Sequence, residues 1–238
     1  MDIIPAIDLR EGACARVLGD KTPEHSVYSD DPLEQAIILK DLGAEWVHIT
    51  DLDGAFSGHL CNLRIIQELA EYSGVKIQHS GGVRSLENIS TLLSLGVSRV
   101  VLSSAVLRNG ELTAKAFAQF GDRVIPGVDG RDGMAAIEGF ETSAAKSVVK
   151  LLAEIRAIGM EKLIYTDLRR YGTMKGPNFE GIAEIIESSG MKTVIAGGVC
   201  TYEAIEKLKA MGAESLIIGK AIYTGAIDLR KAMKIAAG

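Results

Sequence analysis

The chain has 238 residues, 47% of them hydrophobic, and a formal net charge of −5. That much apolar material can build a sizeable core, which excludes intrinsic disorder. A net acidic chain is poorly suited to coating nucleic acid or anionic membrane, so any anion it binds must be held by local groups.

The predicted elements alternate short Val/Ile-rich runs with longer amphipathic stretches. A first strand over Ile3–Ile7 is followed by a helix over Pro32–Leu42, with Pro32 suited to its first turn. Then come strand Trp46–Ile49, helix Leu63–Tyr72, strand Val75–Gln78, helix Leu86–Leu95 and strand Arg99–Leu102. The second half reads as strand Arg123–Val128, helix Ala144–Ile158, strand Lys162–Tyr165, strand Thr193–Ala196, helix Tyr202–Met211 and strand Ser215–Ile218. The strands are almost continuously apolar, as parallel strands covered on both faces are. Eight β-then-α units allow either a closed barrel or an open doubly wound sheet.

An internal repeat separates the two. IIPAIDLREG (Ile3–Gly12) matches VIPGVDGRDG (Val124–Gly133), pairing Asp8 with Asp129. Thr50-Asp51-Leu52 with Asn62 matches Thr166-Asp167-Leu168 with Asn178 at equal spacing. Gly81-Gly82-Val83 matches Gly197-Gly198-Val199, and Ser103-Ser104-Ala105 matches Gly219-Lys220-Ala221. Two half-barrels closing on each other have reason to repeat in this order. The reading is therefore an α/β fold, a (βα)8 TIM barrel with a two-fold half-barrel repeat. It forms one domain over residues 1–238, with halves of about 1–121 and 122–238.

In such a barrel the active site lies at the C-terminal ends of the strands. Asp8 and Asp129 fall there on opposite strands, where two carboxylates can act as base and acid on one substrate. Bonds to their own loops, with Arg10 and Arg131, are the structural alternative. The Gly-Gly segments at Gly81, Gly82 and Gly197, Gly198 expose backbone N–H groups. Ser103, Ser104, Gly219 and Lys220 open the following helices, whose first amides suit phosphate. Two such corners imply a substrate phosphorylated at both ends. Thr50 and Thr166 end their strands and can bond a substrate or cap a turn. Of the four histidines, His48 reads as structural inside a strand, and His79 as nearer the mouth. No dinucleotide fingerprint, pyridoxal phosphate signal or metal-ligand spacing is present. Cys14, Cys61 and Cys200 have no metal spacing and fit reduced thiols in the cytoplasm. The N-terminal MDIIPAIDLREG does not read as a signal peptide, and no apolar run approaches the roughly 20 residues of a membrane span.

With these residues assembled, the whole chain resembles the phosphoribosylformimino-5-aminoimidazole carboxamide ribotide isomerases of histidine biosynthesis. The motifs carrying the resemblance are IIPAIDLREG, VYSDDP (Val27–Pro32), DLDGAFSG with Asn62, GGVRS (Gly81–Ser85), VDGRDG and GTMKGPN (Gly172–Asn178). DLDGAFSG and GTMKGPN separate it from the related cyclase subunit of imidazole glycerol phosphate synthase. The resemblance implies a cofactor-independent Amadori aldose–ketose isomerisation, with Asp8 as base, Asp129 as proton donor and Thr166 assisting. It also implies one phosphate on Gly81, Gly82, Ser103 and Ser104, and the other on Gly197, Gly198, Gly219 and Lys220. The implied partner is a small bisphosphorylated ribonucleotide, handled by a monomer in the cytoplasm without nucleic acid or membrane.

The chain departs from the family pattern at the mouth. Tyr171 stands where the family usually has aspartate, which makes it a rival proton donor. Ser80, Ala196 and Ser103 also replace usual residues. Relatives that also isomerise phosphoribosylanthranilate tend to carry Arg-Gly-Trp where this chain has Glu138-Gly139-Phe140. Glu138 would repel the anthranilate carboxylate, although Arg16 could partly compensate. A non-catalytic binder of phosphorylated metabolites is the remaining alternative, suggested by Tyr171.

Overall fold

The computed structural model describes residues 1–17, 25–137 and 142–238. Its strands are β1 (Asp2–Arg10), β2 (Ala13–Val17), β3 (His25–Ser29), β4 (Trp46–Asp51), β5 (Lys76–Ser80) and β6 (Arg99–Leu102). They continue with β7 (Val124–Arg131), β8 (Met134–Ile137), β9 (Thr142–Ser147), β10 (Lys162–Asp167), β11 (Lys192–Ala196) and β12 (Ser215–Ile218). The helices are α1 (Pro32–Asp41), α2 (Leu52–Ser57), α3 (Leu63–Tyr72), α4 (Leu86–Ser94), α5 (Ser104–Arg108) and α6 (Gly110–Phe120). After them come α7 (Val148–Ala157), α8 (Phe179–Ser189), α9 (Tyr202–Ala210), α10 (Lys220–Tyr223) and α11 (Leu229–Ala237).

Strands β1, β4, β5, β6, β7, β10, β11 and β12 pair in parallel around a ring. The β12–β1 and β6–β7 pairings join the two halves, and β7–β10 completes the ring, so the sheet is a closed (βα)8 barrel and not an open one. A large apolar core fills the space between the ring and the helices, with Ile7, Val47, Ile77, Ile195 and Leu216 fully buried. A smaller one fills the lumen: Ile4, Ala6, Val101, Ile125, Ile164, Val194, Ala196 and Ile217, with Trp46 against it. Every second side chain of a strand faces the lumen, so a residue's parity along its strand decides which core it joins.

Two hairpins were not anticipated. Strand β2 turns back antiparallel on β1, and β8 does the same on β7. The turns are Glu11-Gly12 (φ 50° and 83°) and Asp132-Gly133 (φ 53° and 76°). Two left-handed residues in succession form the tight hairpin turn whose twist matches the strands it joins. The predicted helix over Ala144–Ile158 is corrected at its start. Residues through Ser147 belong to β9, and the helix begins at Val148, with the Ser147 side chain accepting from the Lys150 amide. Pairing with β8 overrides the helix preference of the alanines there.

The loop after β4 is organised by one buried carboxylate. Asp51 Oδ1 accepts from Gly54 N at 3.0 Å and Asn62 Nδ2 at 2.7 Å. Its Oδ2 accepts from Cys61 N and Asn62 N, both at 3.2 Å. This explains the spacing of Asn62 within the motif. Asn178, its counterpart, caps α8 instead, accepting from Gly181 N at 3.3 Å. Replacing Asp51 by alanine strands several buried donors, each costing about 1–3 kcal/mol. Asp51→Ala is therefore expected to lower Tm by roughly 5–15 °C. Thermal melts followed by circular dichroism measure this, and an unchanged Tm would refute the organising role.

Candidate active site

Asp8 and Asp129 point into the lumen four strands apart, on opposite walls of one pocket. Both lie within their strands, with backbone pairing continuing past them into the hairpins. Asp8 stands opposite Thr50 on β4, and Asp129 opposite Thr166 on β10, so each half repeats an aspartate–threonine pair. Burial raises Asp8 to about 6 against the opposing pull of hydrogen bonds from Tyr171 and Thr50. Burial raises Asp129 equally, to about 6, opposed by Thr166. The Tyr171 hydroxyl donates to Asp8 Oδ2 at 3.0 Å. Burial, and then the neighbouring Asp8, push Tyr171 well above its ordinary value, so it stays protonated.

The floor of the pocket breaks the two-fold symmetry. On the first half it is polar: His48 Nδ1 lies 2.8 Å from Gln78 Nε2, and His48 Nε2 lies 3.2 Å from Ser80 Oγ. The positions that match in the second half are Ile164, Val194 and Ala196, all apolar and buried. His48 is held in its strand by these two contacts and also lines the pocket. Burial lowers its pKa to about 3, so it is a neutral imidazole. His79 has the opposite parity on β5. It is fully buried and absent from the pocket wall, so its expected place near the mouth is corrected.

Gly81, Gly82, Ser103 and Ser104 line one corner of the pocket, and Gly197, Gly198, Gly219 and Lys220 line the other. Gly81 has φ 103°, and a Cβ there would stand 2.2 Å from the Asp51 carbonyl oxygen. Only glycine fits, for the loop's own packing as well as for any ligand. Helices α5 and α10 are five and four residues long, too short for an appreciable macrodipole. Loop amides, hydroxyls and nearby cations are the groups these corners offer to an anion. Lys220 Nζ donates to the Gly172 carbonyl at 2.6 Å. Arg84 also lines the pocket. A Cβ on Gly58 would lie 2.2 Å from its guanidinium carbon, which explains the glycine ending DLDGAFSG. Arg84 stood in the GGVRS motif and was not singled out. Tyr28 and Tyr223 add an aromatic wall, their ring centroids 4.0 Å apart. The Arg16 backbone lies in β2. Glu138, Gly139 and Phe140 lie outside the described residues.

Fold and pocket together define the class: a duplicated (βα)8 barrel with two half-buried carboxyl groups facing each other across its mouth. The chain belongs to the histidine biosynthesis protein family, whose pattern matches residues 2–228. One similar protein, from Pelotomaculum thermopropionicum, is 42% identical over all of this chain and 93% of its own length. Others from Desulforamulus reducens and Moorella thermoacetica are 40% and 39% identical, each over 100% of this chain and 98% and 99% of their own. All three are named 1-(5-phosphoribosyl)-5-((5-phosphoribosylamino)methylideneamino)imidazole-4-carboxamide isomerase. Among the described residues no helix is long and apolar enough to cross a membrane.

The raised carboxyl groups make a stability prediction. A carboxyl with a folded pKa near 6 and an ordinary unfolded value holds more protons when folded between about pH 4 and 6. Stability is thus lost as pH rises through that window. Asp8→Asn and Asp129→Asn escape this loss and should each raise Tm at pH 8, with the gain shrinking toward pH 4. A Tm gain independent of pH would contradict the assignment.

Proposed function

We propose that the chain is the aldose–ketose isomerase named in its relatives, acting on a ribonucleotide phosphorylated at both ends. The observation that carries the reading is the placement of Asp8 and Asp129 on opposite walls, each raised toward neutrality. A substrate held by two end phosphates would lie across the mouth with its ribosyl unit between the carboxyls. The corner built from Gly81, Gly82, Ser103 and Ser104 would take one phosphate. Gly197, Gly198, Gly219 and Lys220 would take the other, with Arg84 adding charge to the first. Three free thiols, Cys14, Cys61 and Cys200, support a reducing compartment such as the cytoplasm.

In the reaction a proton donor protonates the ribosyl ring oxygen as its bond to C1 breaks, leaving an open-chain iminium. Ionised Asp8 then removes the proton from C2, and the electron pair moves into the C1–C2 bond to give an enol-amine. Return of a proton to C1 and loss of the C2 hydroxyl proton yield the aminoketose, so no atom or electron is gained or lost. Burial equips Asp129 as donor, since a carboxyl near 6 is still partly protonated close to neutral pH. Tyr171 is the weaker acid and already spends its proton on Asp8.

The pH profile tests this assignment. The base must be ionised, so kcat/KM rises through about pH 6. If Asp129 is the acid it must be protonated, so kcat/KM falls again above about pH 6. A profile that stays flat to pH 9 would instead assign the proton to Tyr171. Asp8→Asn and Asp129→Asn should each lower kcat by about 100-fold or more. Absence of turnover with the bisphosphorylated aminoaldose at micromolar enzyme would leave a non-catalytic binder.

A further inference from the structure

The second anion corner is tied to the loop that carries Tyr171. Lys220 Nζ holds the Gly172 carbonyl at 2.6 Å, and Cys200 Sγ reaches the Met174 carbonyl at 3.5 Å. Gly198 packs so closely that a Cβ there would stand 2.9 Å from the Gly176 carbonyl oxygen. Met174 has φ 58°, a left-handed conformation that costs a non-glycine residue about 1 kcal/mol. The loop's shape is thus imposed by its contacts. Next to Gly172 is Tyr171, whose hydroxyl donates to Asp8. The matching positions of the first half are Ala55 and Ser104, which supply neither the phenol nor the ammonium.

We propose that Lys220 is a positioning residue that holds the Tyr171 hydroxyl on Asp8 through the Gly172 carbonyl, linking the second anion corner to the catalytic base. An ammonium has three donors, so one can stay on Gly172 while the others meet an anion. The link rests on the reading of this corner as a phosphate seat. The groups facing Asp8 are Tyr171 from the loop, Thr50 from β4, Cys14 from β2, Tyr28 from β3 and Tyr223 from α10.

The test is a double-mutant cycle on Lys220→Met and Tyr171→Phe. Asp8 titration is followed in the ligand-free protein by carboxyl carbon-13 NMR, and kcat and KM are measured alongside. Losing the Tyr171 hydrogen bond raises the Asp8 titration, so each single variant should move it up by about one pH unit. The double variant should move it no further. KM should rise tenfold or more in Lys220→Met. Lys220→Arg, which keeps donors in the corner, should retain the parent titration. An unmoved Asp8 titration in Lys220→Met overturns the link, and with a raised KM it leaves Lys220 as a phosphate contact only. Additive shifts also overturn it, because a direct charge effect would survive without the Tyr171 hydroxyl. A shifted titration with unchanged KM keeps the link and removes Lys220 from the phosphate seat. A shift in Lys220→Arg as large as in Lys220→Met counts against it.

Discussion

Closing eight parallel strands into a ring forces every second side chain into a space only a few residues wide. Everything at this site follows from that constraint. It brings Asp8 and Asp129, 121 positions apart by the repeat, to opposite walls of one pocket. It also draws them partly out of water, and this desolvation is the leading cause of their raised pKa values. The apolar lower lumen, from Ile4 to Ile217, is the packed base on which the polar mouth rests.

The duplication supplies two equal frames, and the side chains then make them unequal. The aspartate–threonine pairs are the same in both halves. The floor is imidazole, amide and hydroxyl beneath one half and aliphatic beneath the other. The cations also come from different places, Arg84 after β5 and Lys220 after β12. A symmetric scaffold thus presents a pocket with a direction, which an unsymmetric substrate needs in order to bind one way round.

The barrel was legible in the sequence because its strands are buried on both faces and read as unbroken Val/Ile runs. The same continuity hides the parity of each residue, so the sequence places His79 near the mouth although its side chain turns away from the pocket. The carboxylate pair was legible through the repeat, which needs only matching motifs. The hairpins were missed although Glu11-Gly12 and Asp132-Gly133 carry the turn signal, because those motifs were read only as catalytic ends. The contact of Lys220 with Gly172 spans 48 residues between two loops, and no local pattern encodes it.

Each hairpin turn is fastened to the loop after the next barrel strand, and the polarity of the fastening is reversed between halves. In the first half Asp53 takes the Glu11 amide at 2.7 Å and the Arg10 guanidinium at 3.3 Å. In the second, Arg169, at the position matching Asp53, grips the Asp132 carboxylate at 3.0 and 3.1 Å. A hairpin transplanted from the second half into the first would bring Arg131 and the Asp132 amide to the places of Arg10 and the Glu11 amide, so Asp53 would keep both kinds of partner. The polarity is therefore set at a single position after the barrel strand, Asp53 or Arg169, while the hairpins, each an arginine followed by an acid, are interchangeable between the halves.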